Sequence, residues 1–397
     1  MKRWASLWLA SLDVAPTTMA QYRSLVRNHL EPRFGELRLG EISGLDARMW
    51  ALSLRSRYAD ATVDTIMKLL SMLLADAARE RLIPANPIFP ARRGRRPARV
   101  RPAIVWADPE QVLRVGLRAC ELVGGWAGLL IVTAAWTGAR WGELLGLQRH
   151  NLHLDVDRGR GWMVIDAERG ALHEVNGVFS LGRPKTAHSA RTVELPPFLV
   201  GLLARHLECH AHPHVFVTRR GEYPRRSNFA RRALHPAADG TLAHSRSRWK
   251  WAPIATGLTF HGLRHSHATW MIADHIPAAA QSYRLGHALP NAIDQVYSHI
   301  APELHTHLIA CLQHRWDHAL TAVGGHVVGE NGHRGRPDAL AQARRRAKIR
   351  RAALRPQPEP PLTGASSAPE SAAPAPAMPR VSTVRWRPRH RRRVDPR

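Results

Sequence analysis

The sequence predicts a mainly α-helical protein with a small β-sheet, divided into a helical domain (1–90), a basic linker (91–104), a mixed α/β domain (105–320) and a disordered tail (321–397). Three observations carry that expectation. In the front part, Val63, Ile66, Met67, Leu70, Leu73 and Leu74 recur at three- and four-residue steps, the period of a helix with one buried face. Between 161 and 195, β-branched and aromatic residues gather in short runs bounded by polar turns. Beyond 321, Pro, Ala, Ser and Arg dominate, and too few large apolar side chains remain to offset the entropy of ordering. A chain of 397 residues also exceeds what one core usually holds.

Element by element, Pro16 opens a helix with Tyr22, Leu25, Val26 and Leu30 on one face. A second helix is predicted over 43–54 and a third over 60–81, stopped by Pro84 and Pro87. The segment 91–102 has six arginines in twelve positions and cannot build a core, so it reads as a linker suited to lie along a phosphate backbone. Helices follow at 108–123 and 126–135, strands at 161–166, 175–181 and 191–195, and a short extended piece at 214–218. Helices return over 260–274, 278–284 and 302–320.

The charge narrows the partner. With 58 Lys+Arg against 31 Asp+Glu the chain carries +27, which points to a polyanion, nucleic acid before an anionic membrane, with a solubility surface as the blander alternative. The tail alone holds 17 Lys+Arg against 5 Asp+Glu, and its arginine clusters can contact DNA without sequence preference. Cys120, Cys209 and Cys311 match no metal spacing and no disulfide framework, as in a reducing cytoplasm. The apolar start at 4–12 is followed by Asp13 without a small-residue cleavage site, and the run 126–136 falls short of the roughly 20 residues a membrane span needs.

Lysine is scarce, with only Lys2, Lys68, Lys185, Lys250 and Lys348, and so is tyrosine: Tyr22, Tyr58, Tyr223, Tyr283 and Tyr297. Each of these positions is therefore worth inspecting. Thr137-Gly-Ala-Arg-Trp-Gly-Glu puts Arg140 at a helix start, where its planar fork can bind two phosphate oxygens and Glu143 can hold it in place. Phe260-His-Gly-Leu-Arg-His places His261 just before a helix and Arg264 on its first turn. His261 and His265 have the spacing of a zinc pair, but no Glu follows His261 as in a metalloprotease helix. Leu285-Gly-His contributes His287, and Tyr297 follows ten residues later. Singly these patterns are weak; jointly, in one basic chain, they form a set.

In that set the sequence resembles the tyrosine recombinases, the phage-type integrases and their relatives, over roughly residues 4–300. Thr137-Gly-Ala-Arg looks like the first catalytic arginine box, Pro184-Lys-Thr-Ala-His-Ser-Ala-Arg like the β-hairpin with the catalytic lysine, and His261-Gly-Leu-Arg, Leu285-Gly-His and Tyr297-Ser-His like the remaining boxes. Gln21-Tyr-Arg-Ser, His29-Leu-Glu-Pro, Phe34-Gly and Asn86-Pro resemble the helical, SAM-like core-binding domain. The resemblance implies an α-helical core-binding domain followed by a mixed α/β catalytic domain. It implies a site of Arg140, Lys185, His261, Arg264, His287 and Tyr297, in which Tyr297 attacks the scissile phosphorus, the arginines hold the phosphate and Lys185 protonates the leaving 5′-oxygen. It further implies no metal and no nucleotide cofactor, double-stranded DNA as partner, a homotetramer on paired sites, accessory DNA-bending proteins, no membrane and a cytoplasmic, nucleoid-associated location. The segment 302–320 is expected to dock on a neighbouring protomer, and no arm-binding module is expected ahead of the helical domain. Ala278-Ala-Ala-Gln-Ser-Tyr departs from the family's apolar helix, which predicts loose packing behind His287. A decayed integrase that only binds DNA, and a single-strand phosphotyrosine topoisomerase, remain alternatives at this stage.

Overall fold

Twenty residues of α-helix, α5, organise the front of the chain. The computed structural model describes residues 1–88, 103–242, 248–288 and 302–326. Around α5 (Asp60–Arg79) lie α1 (Lys2–Ser11), α2 (Pro16–Leu25), which runs through a π-helical turn into α3 (Glu31–Phe34), and α4 (Gly44–Arg55). The predicted stripe is the buried one: Val63, Ile66, Leu70, Leu73 and Leu74 are all at 0% exposure, packed with Trp8, Leu30, Phe34 and Trp50. The apolar start of the chain belongs to this core, since the Trp4 indole donates to the Leu73 carbonyl (3.0 Å) and the Trp8 indole to Asp76 (2.7 Å). Ser43 caps α4 through the Asp46 amide, as its position before the apolar run implies.

The second half begins with α6 (Pro109–Val123), closed by a reciprocal cap between Asp108 and Gln111. Behind it runs α7 (Gly125–Thr137), apolar on every side and buried accordingly. Then come α8 (Trp141–Gly146), β1 (Leu152–Asp155), β2 (Arg160–Ile165), β3 (Ala171–Val175), β4 (Val178–Gly182), β5 (Arg191–Glu194) and α9 (Pro197–Glu208). After these follow α10 (Arg226–Phe229), α11 (His235–Asp239), α12 (Phe260–Ala273), α13 (Ala278–Leu285) and α14 (Pro302–His326). One antiparallel sheet has the order β1-β2-β5, with Met163 paired to Leu152 on one side and Val193 on the other; β3 and β4 form a separate hairpin. No helix among the described residues is long and apolar enough to cross a membrane.

Several expectations are corrected. The single strand predicted at 175–181 is broken by a turn, because Asn176 (φ 51°) and Gly177 (φ 82°) take the left-handed conformation of a tight hairpin. The piece at 214–218 makes only an isolated bridge from His214 to Gln148. The last helix, α14, packs on its own chain through one face: Leu308, Leu312, Trp316, Ala319 and Val323 are buried, Trp316 stacks on Phe198 at 4.0 Å, and Arg315 grips Asp274 with two bonds of 2.8 and 2.6 Å. Most of the linker at 91–104 and nearly all of the tail lie outside the described residues.

Candidate functional site

Four helix and strand ends converge on a nest of arginines. The first is Arg140, the residue before α8. Its backbone amide and Nη1 donate to the two oxygens of Glu143, at 2.9 and 2.6 Å, so the side chain is folded against the helix it precedes. Nη1 also donates to Ser189 Oγ (3.0 Å) and Nη2 to the Gly286 carbonyl (3.4 Å). Arg264, on the second turn of α12, donates Nη1 to the Gly138 carbonyl at 2.7 Å and Nη2 to the Leu285 carbonyl. Its Nη2 lies 2.8 Å from Nε2 of His287. A guanidinium only donates, so Nε2 of neutral His287 accepts and the ring proton sits on Nδ1.

Two glycines make that convergence possible. Gly138 ends α7 at φ 66° and Gly286 ends α13 at φ 65°, a conformation costly for any other residue. A Cβ on Gly138 would sit 2.6 Å from Leu285, and one on Gly286 would sit 2.9 Å from Arg191 and from the His188 carbonyl. The glycines of the Thr-Gly-Ala-Arg and Leu-Gly-His motifs thus leave room for close neighbours, and their carbonyls receive the two arginines.

Electrostatics follow from the packing. The Arg140 side chain is 23% exposed, whereas Arg264, Arg191 and Arg284 are buried. Burial, with the charge of Arg140 second, pulls Arg264 down to about 9, which leaves it charged at neutral pH. Burial alone would raise the Glu143 carboxyl; the Arg191 charge and hydrogen bonds from Arg191 and Arg140 outweigh it and hold it below the ordinary value. His287 is pushed down by partial burial and then by Arg264, and His261 by partial burial and then by His265, so both are neutral near pH 7. One carboxylate among four guanidiniums leaves a strongly positive pocket, suited to a phosphate.

Of the six expected site residues, Arg140, Arg264 and His287 are brought into mutual contact or onto shared backbone. His261 lies inside α12 at its second position, rather than just before it, exposed beside the pair. Lys185 is exposed, in the bend between β4 and β5 rather than on a hairpin strand, because the hairpin is β3–β4. Its loop is joined to the nest one residue on, where Thr186 Oγ1 meets Ser189 Oγ at 2.9 Å. Tyr297 lies outside the described residues. In the segment 278–283 only Ala280 is buried, but the next residue, Arg284, is buried in α13 and donates to the carbonyls of Glu194 (2.7 Å) and Trp136 (3.1 Å) and to His267 (3.3 Å). A guanidinium takes the place of the apolar packing. Sequence reasoning quoted Ser189 and Arg191 within the lysine box but gave no role in the site to either, nor to Arg284. Among the described residues no three His, Cys, Asp or Glu side chains converge as a metal-binding group.

Comparison with known proteins bears on family and fold. The sequence profile of the "Phage integrase family" matches residues 119–303, and that of the "Phage integrase, N-terminal SAM-like domain" matches residues 1–54. The chain is 27% identical over 315 residues to a putative prophage phiRv2 integrase of Mycobacterium tuberculosis, covering 75% of this chain and 74% of that protein. Its fold is similar to that of the Tn1549 transposon integrase in complex with a circular intermediate DNA, with a TM-score of 0.58 at 17% identity, covering 76% of this chain and 96% of the other. It is also similar to lambda integrase in a tetramer bound to a Holliday junction, with a TM-score of 0.51 at 18% identity, covering 73% and 76%.

Proposed function

The chain belongs to the phage integrase family of tyrosine site-specific recombinases, and from that premise we propose that it cuts and rejoins DNA strands through a 3′-phosphotyrosine, using Arg140, Lys185, His261, Arg264, His287 and Tyr297. The observation that carries this reading is the nest itself: Arg140 and Arg264, from motifs 124 positions apart, share the backbone of Gly138, Leu285 and Gly286 with His287.

The Tyr297 oxygen forms a bond to the scissile phosphorus as the bond from phosphorus to the 5′-oxygen breaks. Charge building on the non-bridging oxygens is met by Arg140, the most open guanidinium, and by the field of Arg264 behind it. A phenol ionises near 10, so attack at neutral pH needs a proton acceptor or surrounding positive charge; neutral His261 can take the proton, while His287, whose Nε2 already accepts from Arg264, can donate from Nδ1 to a phosphate oxygen. Lys185 gives the departing 5′-oxygen its proton, a role closed to arginine, which keeps its own. The covalent phosphodiester conserves the bond, so rejoining to a new 5′-hydroxyl reverses the same steps without a nucleotide. The guanidinium cluster supplies the charge that a metal ion would otherwise bring.

The partner in this reading is double-stranded DNA, with four protomers acting on paired sites, as the lambda complex on a Holliday junction suggests. Accessory DNA-bending proteins fit the same scheme. The test is a nicked suicide substrate carrying sequence that flanks the gene, incubated with the protein in EDTA and resolved on a denaturing gel. A covalent adduct is expected from the wild type and none from Tyr297→Phe, with DNA binding retained. An adduct from the Phe variant would falsify the nucleophile.

A further inference from the structure

The Arg191 side chain is buried, 1% exposed, and no step above touches it. It binds three separate segments. Nη2 pairs with Glu143 Oε2 at 3.1 Å, Nε donates to the Arg284 carbonyl at 2.8 Å, and Nη1 donates to the Ser189 carbonyl at 2.7 Å. Each of those neighbours in turn holds a reacting group. Glu143 and Ser189 Oγ receive Arg140, while Arg284 leads directly into Leu285, Gly286 and His287, which meet Arg264 and Arg140.

We propose that Arg191 is a positioning residue for the phosphate site, aligning α8, the end of the Lys185 loop and the turn after α13 so that Arg140 and Arg264 converge on one phosphate. This rests on the reading of Arg140 as a phosphate clamp. Two consequences of its placement carry the proposal. First, Glu143 is shared: one oxygen serves both Arg191 and the Arg140 amide, the other the Arg140 side chain. A carboxylate divided between two guanidiniums cannot cancel the charge of either, so Arg140 keeps positive charge to offer a ligand. Second, Arg191 occupies the space that a side chain at position 286 would fill, so the Leu-Gly-His turn and Arg191 fit only together. A buried ion pair is often no more stabilising than an apolar pair of the same volume. Stability alone therefore gives little reason for this one.

The discriminating substrate is a suicide DNA whose scissile phosphate is a methylphosphonate, in which methyl replaces a non-bridging oxygen and removes the charge. Single-turnover adduct formation at saturating DNA is compared on this and on the ordinary phosphodiester, together with DNA affinity. Arg140→Ala is the control. Arg191→Met is the direct variant, and Arg191→Met/Glu143→Gln removes both buried charges, so one of the pair remains foldable. On the phosphodiester the Arg191 variants are expected to slow roughly a hundredfold, the usual effect of a small misplacement of a catalytic group. On the neutral substrate the loss should shrink to less than tenfold, with affinity unchanged. Equal slowing on both substrates, or no slowing on either, overturns the proposal and leaves Arg191 a structural residue. If Arg140→Ala itself gains nothing from the neutral substrate, the phosphate-clamp reading fails and takes this inference with it. Relief of Arg140→Ala without relief of the Arg191 variants sinks the inference alone.

Discussion

Around α5 the buried side chains are Val63, Ile66, Leu70, Leu73 and Leu74, whereas at the meeting of α8, β5, α12 and α13 they are Glu143, Arg191, Arg264 and Arg284. Both regions exclude water, but they specify structure differently. An apolar side chain asks of its neighbours only volume, so many partners satisfy it. A buried guanidinium asks for particular acceptors at particular angles, and here it takes them from segments more than a hundred residues apart, as Arg264 does with Gly138 and Arg284 with Trp136. The apolar interior holds the helices together; the polar one fixes where four chain ends stop.

The largest expected effect separates the two. Glu143→Ala leaves Arg191 buried without its carboxylate and should cost about 3–5 kcal/mol, along with adduct formation that falls by roughly 10²–10³ as Arg140 loses its hold. Leu70→Ala opens a cavity at a fully buried site and should cost a comparable 2–5 kcal/mol, yet leave the adduct rate of the folded protein unchanged. Thermal melts and single-turnover rates, taken well below both transitions, check the pair. Equal rates would erase the distinction drawn between the interiors.

The same contrast explains what could be read from the sequence. The α5 stripe and the helix at 260–273 were legible because local period decides them. The hairpin turn carried its own signal, Asn176-Gly177, yet the run of apolar residues around it invited a single strand. The arginines were harder, because in so arginine-rich a chain nothing marks a buried one by type. Position does mark it. Arg191 alternates with Val193 and Leu195, all three buried, and Arg284 stands four residues after buried Ala280. Period thus placed both on inward faces, while their acceptors, such as the carbonyls of Trp136 and Ser189, have no signature in sequence at all.

Acid should find the polar half of the molecule first. His206, His214, His261, His267 and His287 are all held below their ordinary 6.5, burial being the first cause in each and neighbouring positive charge adding to it at His261, His267 and His287. A histidine so held is favoured neutral in the fold and takes up its proton on unfolding. Its contribution to stability is therefore complete above 6.5 and is lost as the pH falls through the folded value. Glu143, also held down, adds a second loss of the same sign at lower pH. Melting temperatures should be flat between pH 7 and 8 and fall steadily below about 6.5. His267→Gln, which keeps an acceptor for the Arg284 guanidinium, should shallow that fall. An unchanged slope would remove His267 from the explanation.

The smallest expected effect lies on the surface, where a charge pair does work that water can largely replace. Arg225 pairs with Glu174 on β3, donates to the Gly177 carbonyl at 3.0 Å in the hairpin turn and lies 5.0 Å over the Phe179 ring on β4. Its side chain is 42% exposed. Arg225→Gln should therefore cost about 0.5–1 kcal/mol, the range of exposed ion pairs, even though three contacts are lost at once. The hairpin gives the reason to measure it. Among the described residues β3 and β4 join no larger sheet, and a lone two-stranded hairpin is marginal in water, so its order depends on what grips it from outside. α8 grips β3 through backbone packing, with Gly146 close against the Leu172 amide, and Arg225 grips the other end. If the packing on α8 suffices, the small cost stands and the melt shifts by no more than a few degrees. A loss above about 2 kcal/mol, beyond what surface pairs contribute, would mean that this exposed guanidinium orders the hairpin as the buried ones order the site. Position in a network, more than burial, would then decide what an arginine contributes.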